Sequence, residues 1–220
     1  MNEQQEKKEL LFPITSEQEY MRDKKVNYLN YCILIYYSNF QDSHRFIYED
    51  KIIKNKDEIE KFSKTKIETF IRNARKLSKL TDGSMVAVDR TKEGKTVYKI
   101  RKTNKYILIE EKLLRVLIST LSPNAIKVYI FLKWRLRQRG SIIKRKEICE
   151  NIGLCINSKR QLQEIANITK ELQELGLIKR NTITEKSIEG KDYERSTYYE
   201  LISFDDWEKF WESDDNPNKI

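Results

Sequence analysis

The chain carries one histidine, three prolines and six glycines among its 220 residues. So little glycine and proline argues against a long disordered segment or an all-β fold. The lone histidine, His44, falls in a loop-like stretch and reads as a surface residue rather than a catalytic base. The three cysteines, Cys32, Cys149 and Cys155, are odd in number and form no CxxC, so neither a disulfide framework nor a zinc site is expected. Reduced thiols in a cytoplasmic protein are the simplest reading, with Cys149 and Cys155 as small core residues. Long apolar runs are missing too. The most apolar stretch, "YCILIYY" from Tyr31 to Tyr37, is far short of the roughly 20 residues of a membrane helix. The opening residues carry acids and no apolar h-region, so no secretory signal and no membrane partner are expected. No Walker A loop, GxGxxG, HExxH or GxSxG occurs. The acid pairs Asp205/Asp206 and Asp214/Asp215 lie in a terminal tail without a pocket. These absences point to a protein that is not an enzyme and needs no metal or other cofactor.

What is present is positive charge. Lysine and arginine number 43 against 34 acids, a net +9. Such an excess favours a polyanionic partner, because cations that neutralise phosphates release counterions. The last eighteen residues, 203–220, are instead acidic and aromatic, so the basic excess lies in the rest of the chain.

The hydrophobic pattern divides the chain. Residues 1–22 read as a flexible polar arm. Residues 23–103 form a first domain: a helix from Val26 to Asn39, a break at "FQDSHRF", a short helix around Asp57 to Phe62, then a longer helix. Thr65 and Glu68 are spaced as a capping box for that helix, and Ile67, Phe70, Ile71, Ala74 and Leu77 share one face. "MVAVDRTKEGKTVYKI" then alternates about a turn at Glu93-Gly94, the mark of a β-hairpin. Residues 104–202 repeat this grammar. "YILI" leads into a helix, and Ser122-Pro123 opens another that Gly140 closes, with Ile126, Tyr129, Ile130, Lys133 and Leu136 at helical spacing. "KRKEICENIG" is a short helix stopped by glycine. Ser158 and Gln161 cap a longer one, whose stripe is Leu162, Ile165, Ile168 or Thr169, Leu172 and Leu175. A second hairpin follows, with "TEKSIEGKDYER" at its tip. The fold class expected is mostly α with small β-hairpins.

The order of a short helix, a glycine turn, a capped helix and "ELGLIKR" leading into a hairpin resembles the winged helix-turn-helix family. The likeness covers 122–202 well and 26–100 loosely, which implies two such domains in tandem. It also implies that the third helix of each unit enters the major groove while the hairpin wing touches backbone or minor groove. With the apolar stripe inward, Lys159, Arg160, Gln163, Asn167 and Lys170 point outward. Arg and Lys can pair with guanine edges, and Gln and Asn with adenine. Lys144, Arg145 and Lys146 open the preceding helix and suit phosphates, as do wing residues Lys186 and Lys191. The equivalent first-domain set is Lys66, Thr69, Arg72, Asn73 and Lys76, with Lys92 and Lys95 on the wing. There Thr69 and Asn73 are the better base readers.

A plainer reading exists, since every soluble helix has a charged outer face. Glu164, Glu171 and Glu174 fall on that face and would repel phosphate. Basic residues nevertheless gather at the N-terminal half of the helix, where docking occurs. Two units in one chain form a pseudo-dimer able to read half-sites ~34 Å apart, and a homodimer is also compatible. The arrangement resembles the tandem winged-helix replication initiators of plasmids and phages, and "YILIEEKLLRVLISTLSPNAIKVYIFLKWR" resembles the opening of a plasmid initiator DNA-binding domain. Double-stranded DNA is the expected partner and replication initiation the expected role. A transcriptional regulator of a mobile element and a winged-helix protein scaffold are the alternatives. In the tail, Phe204, Trp207 and Trp211 make an apolar stripe. It reads as a helix packed on its own domain, or as a docking peptide through Trp207 and Trp211 for a replication or transcription protein, followed by a disordered "DDNPNKI".

Overall fold

The computed structural model describes residues 10–41, 44–137, 139–186 and 193–213, with backbone alone at 41, 44, 182–186 and 193–195. The elements begin with β1 (Leu11–Thr15), α1 (Gln18–Arg22), α2 (Tyr28–Tyr37), β2 (Asn39–Gln41) and β3 (His44–Tyr48). Then come α3 (Glu49–Lys54), α4 (Lys56–Ser63), α5 (Ile67–Leu80), β4 (Val86–Arg90) and β5 (Thr96–Ile100). β6 (Tyr106–Glu110), α6 (Glu111–Thr120), α7 (Pro123–Leu136), β7 (Ser141–Ile142) and α8 (Arg145–Asn151) follow. The chain ends with α9 (Lys159–Glu174), β8 (Ile178–Lys186), β9 (Tyr193–Leu201) and α10 (Phe204–Glu212). The protein is thus mixed α+β with small antiparallel sheets. No helix among the described residues is long and apolar enough to cross a membrane.

The described residues fall into two compact units, 10–15 with 29–121 and 16–28 with 122–213. This departs from the sequence expectation in two ways. The expected arm is built into both units. Leu11–Thr15 pairs antiparallel with Tyr106–Glu110, and Phe12 and Ile14 are fully buried. Strand β1 forms only because a partner distant in sequence completes its hydrogen bonds, which no local pattern reports. The second departure is the boundary. β6 and α6, expected to open the second domain, belong to the first unit because β6 is tied to β1.

In the first unit, α2 is apolar on nearly every side and is correspondingly buried from Leu29 to Ile35. The expected break after it is the strand pair β2–β3. The sheet runs β2-β3-β5-β4, so the strand before the helices pairs with the second strand of the hairpin. Arg45 on β3 donates to the Leu11 carbonyl at 3.2 Å, and its guanidinium sits 4.4 Å from the Phe12 ring. Helix α5 begins one residue later than the Thr65 capping box implied. Lys66 is its N-cap, and the Ile67 N–H is accepted by Glu60 of α4 at 2.8 Å. A neighbouring helix supplies the oxygen, so Thr65 is not needed for it. Ile67, Phe70, Ala74 and Leu77 are buried as expected, whereas Ile71 is only half-buried.

The second unit has the same permutation. Its sheet runs β7-β9-β8, again with the strand that precedes the helices beside the second hairpin strand. Ser122 caps α7 by accepting from Ala125 N–H at 3.2 Å, with Pro123 in the first turn. The helix ends at Leu136, short of Gly140, where Arg137 takes a left-handed φ of 51°. Its buried face contains Ile126, Tyr129, Ile130 and Leu136, but Lys127 rather than Lys133 is the buried lysine. The tail forms α10. Ser203 caps it, and Trp207 is 1% exposed with its indole N–H donated to the Leu175 carbonyl at 3.2 Å. Trp207 is therefore spent on its own unit and offers no ring to a partner, while Trp211 stacks on it at 5.4 Å. "DDNPNKI" lies outside the described residues.

Candidate nucleic-acid interface

Helix α9 carries the largest ordered set of candidate residues. Its inward stripe is Ile165, Ile168, Thr169 and Leu172, all buried, with Leu162 half-buried at the edge. That phase turns Lys159, Arg160, Gln163, Asn167 and Lys170 outward, and all five are exposed. Ser158 accepts from Gln161 N–H at 3.3 Å, the first half of a capping box. The second half is redirected: the Gln161 side-chain carbonyl accepts from the Cys155 N–H and so holds the turn leading into the helix. Gln163 donates to Asn167 at 3.0 Å, which orders two amide side chains on one face.

Charge on this helix is sorted by its surroundings. Glu164 does not stand among the cations as the sequence suggested. It is half-buried and accepts from Asn124 of α7 at 2.8 Å. Glu174 pairs with Lys170 at 3.3 Å, one turn apart, at the far end of the helix. The N-terminal half is left with Lys159 and Arg160 exposed beside two amides. Arg180 on β8, which the sequence did not single out, donates to the Ala166 carbonyl and to Thr169 Oγ1, each at 3.1 Å. It straps the hairpin to α9, and only its place in a strand beside a helix could have flagged it.

At the start of α8, Lys144, Arg145 and Lys146 are exposed. Gly153 ends the turn after α8 with φ of +79°, and the Arg22 carbonyl lies 1.9 Å from where a Cβ would be. Cys149 is buried, which pushes its thiol pKa up, while Cys155 is exposed rather than a core residue. Lys186 ends β8 with only its backbone described, and Lys191 lies outside the described residues.

The first-unit set is less uniform. Lys66, Arg72 and Lys76 on or beside α5 are exposed, whereas Thr69 and Asn73 are half-buried. Lys79, not anticipated, is exposed on the same face as Arg72. Lys66 lies 3.9 Å from Glu60. Arg75 is committed to Glu49 at 2.8 Å, and Tyr98 donates to the same carboxylate at 2.6 Å, linking α5 to α3 and β5. Lys92 and Lys95 sit exposed at the β4–β5 turn, where Gly94 takes φ of +78°.

Among the described residues, no three His, Cys, Asp or Glu side chains gather as a metal ion would require. The exposed groups are cations and amides, suited to hydrogen-bonding and charge neutralisation. The chain matches no protein-family model and no curated protein.

Proposed function

We propose that the chain binds double-stranded DNA through two winged helix-turn-helix units in tandem. On this reading it is a cytoplasmic, non-enzymatic protein without cofactors that initiates replication of a plasmid or phage at a specific sequence. One observation carries the DNA-binding reading. Between Lys159 and Asn167, α9 exposes Lys159, Arg160, Gln163 and Asn167 together, while Glu164, one turn from Arg160, is drawn aside by Asn124.

The tandem reading is supported by the shared strand order, β3-β5-β4 in one unit and β7-β9-β8 in the other, each with helices between its first strand and its hairpin. A helix with such a face fits the major groove, where guanidinium and amide groups meet base edges. Lys144, Arg145 and Lys146 then face phosphates. The second unit carries the sequence reading, and α5, with Arg72 and Lys76 outward, adds mainly affinity.

Duplex affinity measured against salt tests the reading. The logarithm of the binding constant falls against that of salt with a slope of about 0.9 for each phosphate neutralised. A flat response would favour a protein-binding scaffold. Footprinting across the DNA around the encoding gene separates the roles. Protection of directly repeated sequences at an origin carries initiation, and a single protected operator beside a promoter carries transcriptional control.

A further inference from the structure

We infer that the outer face of the first unit's four-stranded sheet binds a short stretch of single-stranded DNA. The pleat of the sheet defines this face. Phe46 sits opposite Lys99, and Tyr48 and Asp89 both sit opposite Val97, so these five side chains project to one side. Ile47 and Tyr98, on the alternate positions, project to the core and are fully buried. Arg101 continues the line beyond β5, its N–H donated to the Met85 carbonyl at 2.9 Å.

The outer side encloses a recess of about 510 Å³, lined also by Arg90 and Thr91 near the hairpin turn. Phe46 and Tyr48 meet edge to face with ring centres 5.5 Å apart. Both rings are half-buried, over a buried Val97. Arg90, Lys99 and Arg101 are exposed around them. The acid of the group, Asp89, is paired with Lys99 at 2.8 Å.

The combination selects the ligand. Aromatic rings alone would suit many apolar partners, and cations alone would suit any phosphate backbone. Rings and cations interleaved on neighbouring strands suit an unpaired base with its own phosphate: the base stacks and the phosphate meets the cation. A duplex keeps its base faces covered and has nothing to give Phe46 or Tyr48. The surface is built from none of the α9 or α5 residues proposed for duplex binding and does not depend on the duplex reading.

The test uses the full chain, with a fluorescein-labelled ten-nucleotide oligo(dT) and a labelled duplex followed by anisotropy. The expected result is binding of the oligo(dT) that Phe46→Leu and Tyr48→Leu, which keep apolar bulk, each weaken roughly tenfold. Duplex affinity stays unchanged in both. Arg101→Gln, on an exposed residue outside the strands, flattens the salt dependence for oligo(dT) alone and tests the same surface without touching the core. Unchanged oligo(dT) affinity in these variants overturns the inference, as does equal loss on duplex and single strand in a variant of wild-type circular dichroism. Displacement of the oligomer by free dTMP at the same nucleotide concentration also overturns it, and gives the recess to a mononucleotide. Loss of duplex binding in the wild-type protein would remove the proposed function and leave these comparisons readable.

Discussion

Asn124 on α7 donates to the carboxylate of Glu164 on α9 at 2.8 Å, and this bond determines which charges α9 presents. An unrestrained Glu164 would lie one turn from Arg160 and weaken its attraction for phosphate. Asn124→Ala is expected to weaken duplex binding by about 0.5–1 kcal/mol. Adding Glu164→Gln restores it, because no negative charge is then released. Failure of the double variant to recover, by anisotropy titration at fixed salt, would refute the charge-sorting role.

Arg160 is the strongest candidate for reading a base. Arg160→Ala is expected to cost ~1–3 kcal/mol on the preferred site and to relax sequence preference at one position. Lys146→Ala is expected to weaken all sequences alike and to reduce the salt slope by about 0.9. Competition titrations with single-base variants of a footprinted site separate the two. The roles are wrong if the lysine, not the arginine, changes the preference.

Lys127 gives a stability signature. It is 2% exposed, donates to the Asp23 carbonyl at 2.8 Å and lies 5.5 Å from the Tyr28 ring. Burial lowers its pKa to about 8, and the nearby Asp23 only partly opposes this. The unfolded chain therefore holds this proton to higher pH than the folded one. Stability contributed by Lys127 rises as pH climbs from about 8 toward the usual lysine value near 10.5. Relative to Lys127→Met, wild type is expected to gain stability across that window in urea melts. A constant difference from pH 7 to 10 would contradict it.

Two glycines with similar backbone angles should respond differently. Gly94 and Gly153 both take φ near +80°, at +78° and +79°. A Cβ at Gly94 meets nothing within 4 Å, whereas one at Gly153 would lie 1.9 Å from the Arg22 carbonyl. Gly94→Ala is expected to cost about 1 kcal/mol, the left-handed backbone penalty alone. Gly153→Ala is expected to cost several times more, because residues 16–28 must shift away. Equal midpoint changes in urea would show that this segment yields freely.

Much of the second unit was legible. The spacing of Ile165, Thr169 and Leu172 sets the outward face of α9, and Ser122 and Ser158 act as the caps their positions suggested. Glu164 and Thr65 depart from their sequence expectation because each depends on a neighbouring helix: Asn124 engages the first, and Glu60 replaces the second. Thr69 and Asn73 stand between the exposed and buried faces of α5 rather than fully outward, a difference that depends on what packs beside the helix.

The sequence by itself determined the longer helices, most of their apolar faces, the glycine turns after α8 and α9 and the strands of the two hairpins, since these arise from interactions within a few residues. Only the tertiary structure decided that Leu11–Thr15 becomes a strand, that β6 and α6 join the first unit, and that Lys127 is buried. It likewise decided which carboxylates leave the cationic face of α9. Each of these depends on a partner far away along the chain, and a hydrogen bond or a desolvated charge is settled by what lies beside it in space.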